Sequence, residues 1–237
     1  MENTDIELIK FSKKAASYRK ALQVAPTSRV LEVGAIISVL DGFIADQELE
    51  KDKIKIVDLM SGNGYLTNFL LKSGFRNIYA IEACNDMSAN SENYKSPDIQ
   101  LYPIADIKNI NPIIKRISPD IIVSLASFHH LIVHNSDNTV NKDESVKLQY
   151  EVISICLKNL KQNGLLLIAD VFDDSIVSTV DTFNDNIYWS AKNTIKLIKS
   201  SFLNEEIKSN LSKSSSLDDY NETLKKFGIK HVKGILL

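Results

Sequence analysis

The chain has 237 residues, 44% of them hydrophobic, enough for one α/β domain with modest additions and a single sizeable core. Its 28 basic and 30 acidic residues leave a net charge of −2, and no lysine or arginine run is dense enough to read as a nucleic-acid stripe, so a small or neutral substrate is favoured. Cys84 and Cys156 belong to no CxxC or Cys/His cluster and read as reduced thiols. With no signal-peptide pattern and no stretch of membrane-spanning length, the expected location is the cytoplasm.

In chain order, Phe11 to Gln23 reads as a helix. Ser28 to Phe43, SRVLEVGAIISVLDGF, imitates a strand leading into a glycine loop, but no second glycine follows closely. Leu31, Ile36, Leu40, Phe43 and Ile44 support a helix instead, with Asp41 and Gly42 at its end and Glu32 as a helix charge. Residues 1–50 are therefore expected to form an N-terminal helical cap, followed by an α/β domain over 51–237.

Ile54, Ile56, Val57 and Leu59 make an apolar run of strand length, stopped by the turn Ser61-Gly62-Asn63-Gly64. Leu66, Phe69, Leu70 and Leu71 recur at helical spacing up to Gly74, and Ile78, Ala80 and Ile81 give a second strand ending at Glu82. Glycines in such a turn let the backbone approach a ligand, and the following helix offers unpaired amides and a positive dipole end. A carboxylate about 20 residues on, here Glu82, can accept both hydroxyls of a ribose. Asp58, before the turn, could accept hydrogen bonds from turn amides or from a cationic group.

A short third strand, Leu101 to Ile104, precedes Asp106, and a buried strand, Ile121 to Val123, runs into the small residues Ser124, Ala126 and Ser127 and then Phe128, His129 and His130. Leu157 to Phe172 reads as a helix, a glycine cap at Gly164 and a continuous apolar strand of the kind buried on both faces of a parallel sheet. Val177 to Phe202 suggests a long or broken helix, in which Phe183, Tyr188 and Trp189 join Phe172 as a candidate aromatic wall. A serine and lysine-rich loop, KSNLSKSSSL, then leads to a helix ending at Phe227 and Gly228 and to one last strand segment, IKHVKGILL.

A dinucleotide site would need GxGxxG, and Thr67 stands at its third glycine. The segment resembles motif I of the class I methyltransferases that use S-adenosyl-L-methionine, an acidic and an apolar residue followed by GxGxG. Asp58, Leu59, Gly62 and Gly64 match, Ser61 and Asn63 are the variable positions, and Met60 replaces the first glycine. PDIIVSLASFHHL is similar to motif IV of small-molecule methyltransferases, with Asp120, Ser124, His129 and His130 matching. FSKKAASY is similar to the opening FxxAAxxY segment of malonyl-carrier-protein methyltransferases.

The resemblance implies a Rossmann-like three-layer α/β/α sandwich with a mostly parallel sheet. Its cofactor would be S-adenosyl-L-methionine, held by Asp58, Met60, Ser61, Gly62, Asn63 and Gly64, by Glu82 and Ala83, by Asp106 and Ile107 and by Ser124, Leu125 and Ala126. Asp106 would read the adenine amino group and Tyr18 would reach the methionine end. His129 or His130 would be the catalytic base, with His129 preferred. No metal is implied, because Ser124 stands where metal-dependent relatives carry an aspartate. A helical insertion over about 173–216 would cover the substrate. The chain stops short of the usual antiparallel hairpin, so the sheet is expected to have six strands, or to be completed by a second copy or another partner. The implied activity is methyl transfer to an oxygen or nitrogen of a small molecule or carrier-bound acid, without nucleic acid or membrane. The alternatives are a non-methylating member of the fold that keeps the cofactor as scaffold, and a binding subunit of a complex.

Overall fold

The computed structural model describes residues 5–24, 27–89 and 91–170. The expectations about the aromatic wall, the 173–216 insertion, the serine and lysine-rich loop and the shortened sheet edge lie outside the described residues. Two long helices come first, α1 (Asp5–Val24) and α2 (Thr27–Asp46). Then follow β1 (Lys55–Leu59), α3 (Tyr65–Lys72), β2 (Asn77–Glu82), α4 (Asn85–Ser88), β3 (Ile99–Pro103), α5 (Ile110–Ile117) and β4 (Ile121–Leu125). A short ribbon of β5 (Val133–His134) and β6 (Val140–Asn141), α6 (Lys142–Asn159) and β7 (Leu165–Ala169) complete the described chain. Single 3-10 turns occupy Glu92–Tyr94, Ile107–Asn109 and Phe128–His130.

The main sheet runs β3-β2-β1-β4-β7 with every pairing parallel, and β5 and β6 pair antiparallel beside it. This is the Rossmann-like α/β architecture expected from the sequence. Parallel strands covered on both faces need no polar alternation, which is why β1 reads as a nearly unbroken apolar run. Ile56, Ile78, Ala80, Ile121 and Val123 join one core cluster with Leu66 and Leu70 of α3. Val57, Leu59, Ile81 and Ile122 occupy the alternate positions, point the other way and are just as deeply buried, so both faces of the sheet are covered. Ile110, Ile114 and Ile117 of α5, spaced by four and three, form a single buried stripe.

The strand-like VLEVG segment lies inside α2, as its missing second glycine implies. Val33, Ile36, Leu40 and Ile44 place α2 in the same core as α3 and the sheet. Two details differ from the sequence reading. Leu31 is 77% exposed and takes no part in the buried stripe. The helix also runs through Asp41 and Gly42 to Asp46, because Ile44 continues the stripe and Asp41 pairs with Lys51 at 2.7 Å.

Gly164 does not cap a helix either. α6 ends at Asn159, and Gly164 closes the turn into β7, where its amide donates to the Lys161 carbonyl. A Cβ there would come within 2.8 Å of the Asp120 carbonyl, so the residue is required by close backbone approach. Asp120 itself sits at the start of β4, away from the strand's carboxyl end. It accepts from the Lys55 amide (2.9 Å) and pairs with Lys161 (2.8 Å), tying β1, β4 and the entry to β7 together.

Candidate functional site

The chain leaves β1 through Met60, whose φ of 57° lies in the left-handed region, and continues through Gly62 and Gly64, also at positive φ. At Gly64, just before α3, a Cβ would meet the Tyr94 ring at 2.8 Å, so this glycine is needed for packing as well as for its backbone angle.

The turn is held on both sides. Glu82, at the end of β2, accepts from the Gly62 amide through Oε2 (2.6 Å) and from the Cys84 amide through Oε1 (2.7 Å). The Tyr94 hydroxyl donates to the Gly62 carbonyl (2.8 Å) and accepts from Ser61 Oγ (2.9 Å). Ser91 Oγ and Asn93 Nδ2 both donate to the Asn63 carbonyl, at 2.6 and 3.0 Å. Asp58 is 1% exposed and takes a 2.5 Å hydrogen bond from Thr67 Oγ1, so the residue that breaks the dinucleotide pattern anchors the carboxylate before the turn. Burial pushes the Asp58 carboxyl up to about 7, against the opposing Thr67 hydrogen bond. Burial raises Glu82 as well, opposed by the Cys84 and Gly62 amides.

A cavity opens over the carboxyl ends of β1, β2 and β4, where the strand order reverses between β1 and β4. Asp58, Met60, Ser61, Gly62 and Asn63 line it from the turn, Glu82 and Ala83 from the end of β2, and Asp106 and Ile107 from beyond β3. Leu125 and Ala126 line it at the end of β4, followed by His130. Ala126 is a second non-glycine residue in the left-handed region, at φ 48°. Ser127 bridges the two strand ends by donating to the Met60 carbonyl (3.2 Å) and the Leu125 carbonyl (2.8 Å).

Three of the candidate residues, Gly64, Ser124 and His129, are not on the cavity wall. Gly64 lies behind the turn against Tyr94. Ser124 is buried within β4 opposite Ile168, and its hydroxyl has no hydrogen-bond partner among the described residues. Tyr18 belongs to α1, but its side chain lies outside the described residues. His129, the preferred base in the sequence reading, is turned onto Asp170: its Nδ1 lies 2.5 Å from Oδ1, and its amide donates to Oδ2 (3.1 Å).

His130 takes the cavity side. Its ring meets Phe11 edge-on at 4.7 Å and its Nδ1 is buried with no hydrogen-bond partner among the described residues. Burial, and then the adjacent His129, push it down to about 3, so it is a neutral imidazole at physiological pH.

An N-terminal helical cap was expected, but only Tyr18 of it was named as a site residue. Glu7, Leu8 and Phe11 of α1 line the cavity, and Ala15 packs on Cys84 and Met87 beneath the helix. Glu7, Phe11 and Ala15 recur every four residues and share a face, so a carboxylate on an otherwise apolar stripe was the available signal. Arg29, Tyr65, Leu131, Ile132 and Leu148 also contribute to the walls. Among the described residues, no group of three His, Cys, Asp or Glu side chains converges as a metal site, and no helix is long and apolar enough to cross a membrane.

No family model and no curated protein sequence matches the chain. Solved structures do. The Haloferax volcanii protein bound by the Trm112 methyltransferase activator is 17% identical, with 81% of this chain and 75% of that one covered at a TM-score of 0.53. Magnesium protoporphyrin IX methyltransferase from Synechocystis PCC 6803, with bound S-adenosylmethionine, is 14% identical over 85% of this chain and 86% of that one, at 0.57. Haemonchus contortus phosphoethanolamine N-methyltransferase 1, in complex with phosphoethanolamine and S-adenosylhomocysteine, is 16% identical over 83% of this chain and 39% of that one, also at 0.57. With its strand order, glycine turn and cavity at the β1/β4 reversal, the chain has the fold of the class I S-adenosylmethionine-dependent methyltransferases.

Proposed function

We propose that the protein binds S-adenosyl-L-methionine and transfers its methyl group to an oxygen or nitrogen of a small molecule or carrier-bound acid. The observation that carries this reading is a glycine turn pinned to Glu82 at the mouth of a cavity on the strand-order reversal. Neighbours of the same fold bind S-adenosylmethionine or S-adenosylhomocysteine, which supports the same cofactor here.

The residues fit that group. Each Glu82 oxygen accepts one amide and keeps a lone pair for a ribose hydroxyl. Asp106 would take the adenine amino group, with Ala83 and Ile107 beside the base. Met60 and the Ser61–Asn63 backbone would face the methionine portion, while Leu125 and Ala126 leave room at the end of β4. Gly64 and Ser124 would serve from behind the wall, by shaping the turn and the strand.

Bound there, the cofactor supplies a methyl group on a sulfonium, which an acceptor displaces in line. The protein has to orient the acceptor and keep bulk water out. Leu8 and Phe11 of the α1 roof and Leu131 and Ile132 of the opposite wall do both. His130 offers the acceptor a neutral imidazole on the cavity wall, and His129 is held by Asp170.

Calorimetric titration with S-adenosylmethionine and S-adenosylhomocysteine tests the reading, followed by a methyl-release assay on a metabolite panel. Binding of neither compound would sink it. Binding without turnover favours the scaffold or subunit alternatives. The Haloferax volcanii neighbour, found in complex with an activator, makes repeating the assay with cell extract worthwhile.

A further inference from the structure

We infer that the acceptor is an amine, whose cationic nitrogen docks on Oε2 of Glu7 in the roof helix. The inference rests on the methyl-transfer reading above and names the acceptor class for the same cavity.

Glu7 is only 7% exposed. Its Oε1 lies 3.2 Å from His134 Nε2 and 3.6 Å from Lys10 Nζ, whereas Oε2 is buried, on a residue that lines the cavity, and has no hydrogen-bond partner among the described residues. A buried carboxylate oxygen left without a donor is costly, and a ligand that donates to it recovers that cost. The other three cavity carboxylates are committed to scaffolding. Glu82 holds the Gly62 and Cys84 amides, Asp58 holds Thr67, and Asp106 caps the Lys108 amide.

Position agrees with this division. Glu82 and Asp106 stand at the β2 and β3 side, whereas Glu7 is tied to His134, beyond β4. Phe11 lies one turn along α1 from Glu7 and touches the His130 ring, and all three residues line the one cavity. Leu8, Phe11, Ile132 and Leu148 offer it apolar walls. The same carboxylate repels an acidic acceptor, which selects against carrier-bound acids.

The transfer balances simply. The docked ammonium releases one proton to water before transfer, because His130, held at about 3, does not accept it. The freed nitrogen lone pair forms the N–CH3 bond as the S–CH3 bond breaks, and that bond's electron pair stays on sulfur as the thioether.

The test uses the full chain saturated with S-adenosylhomocysteine. It is titrated with a dozen amines, from ethylamine to 2-phenylethylamine and tryptamine, and with the alcohol and carboxylic acid of each skeleton. At least one amine should bind about tenfold or more tighter than its alcohol, the strength of a charge-assisted hydrogen bond, and the matching acid should be weakest. Glu7→Gln should abolish the preference while binding S-adenosylhomocysteine within about twofold of wild type and keeping its melting temperature. The inference is overturned if no amine outbinds its alcohol, or if Glu7→Gln keeps the preference. It is also overturned if Glu7→Gln weakens S-adenosylhomocysteine about tenfold, because Glu7 would then serve the cofactor's own ammonium. S-adenosylhomocysteine binding without amine preference removes this inference alone. Absence of S-adenosylhomocysteine binding removes the broader reading, and the titrations without it still test Glu7.

Discussion

The two ends of the cavity are built differently. Around the glycine turn nearly every polar group has a protein partner: Glu82 takes two amides, Asp58 takes Thr67, and Tyr94 is hydrogen-bonded to Gly62 and Ser61. Under the α1 roof, Glu7 Oε2 and His130 Nδ1 are buried with no hydrogen-bond partner among the described residues, whereas near the turn only the Tyr65 hydroxyl and Ser124 Oγ are left so. A self-satisfied half is rigid before a ligand arrives and suits the part of the chemistry that never changes. An unsatisfied half gains most from the one ligand that completes it, which is where selectivity arises.

Glu82→Ala tests the rigid end hardest. It removes the acceptor of two buried amides and the expected partner of two ribose hydroxyls. S-adenosylhomocysteine affinity should fall by about three orders of magnitude, from two charge-assisted hydrogen bonds of about 1.5–3 kcal/mol each. The fold should lose about 2–6 kcal/mol for the orphaned amides. Calorimetry and urea denaturation read the two effects, and unchanged affinity would separate the turn from ligand binding altogether.

At the other end, His130→Gln should reduce turnover about tenfold with little change in cofactor affinity, as expected for loss of one hydrogen-bonding group from the acceptor's wall. His129→Ala should have a smaller effect, since its ring faces Asp170. The reverse order would restore the preference drawn from the sequence and remove His130 from the acceptor's site.

The same two ends give opposite pH signatures. The Asp58 carboxyl, raised from 3.8 to about 7 mainly by burial, holds a proton in the folded state that the unfolded state has lost. Its contribution to stability therefore declines as pH rises through that window. His130, lowered from 6.5 to about 3 mainly by burial, is neutral when folded and protonated when unfolded, so its contribution rises with pH over that window. Between about 4 and 6.5 the two slopes offset each other. Denaturation midpoints of Asp58→Asn should climb with pH up to about 6.5, and those of His130→Gln should fall from about 4 to 7. Parallel profiles for the two variants would contradict the assignment of protons to either group.

What the sequence revealed follows the same division. β1, β2, β4 and β7 were legible because parallel strands buried on both faces leave continuous apolar runs. The turn and Glu82 were legible because close backbone approach demands glycine and a ribose demands an acceptor. Tyr94 and Asn93 were not, because ENY reads as a polar loop until the fold brings it beneath Gly64. The helical cap was legible, but its lining residues Glu7 and Leu8 were not, because Asp5 to Lys10 mixes charge with weak apolar spacing. The roles of His129 and His130 could not be assigned from adjacency, since Asp170 decides them and its place depends on where β7 ends.

Met60 offers the smallest effect and the sharpest probe of the turn. A non-glycine residue in the left-handed region costs about 1–2 kcal/mol, partly offset because glycine adds about 0.5–1 kcal/mol of unfolded-state entropy. Met60→Gly releases that strain but also removes a side chain from the cavity wall, so melting it against wild type alone mixes two effects. Met60→Ala removes the same wall while keeping the Cβ that causes the strain. The glycine variant should therefore be more stable than the alanine variant by about 0.5–1 kcal/mol, and both should lose similar affinity for S-adenosylhomocysteine. An alanine variant equal to or more stable than the glycine variant would mean that Met60 sits in the turn without strain. The Ser127 hydrogen bond to the Met60 carbonyl would then be the contact that sets this backbone.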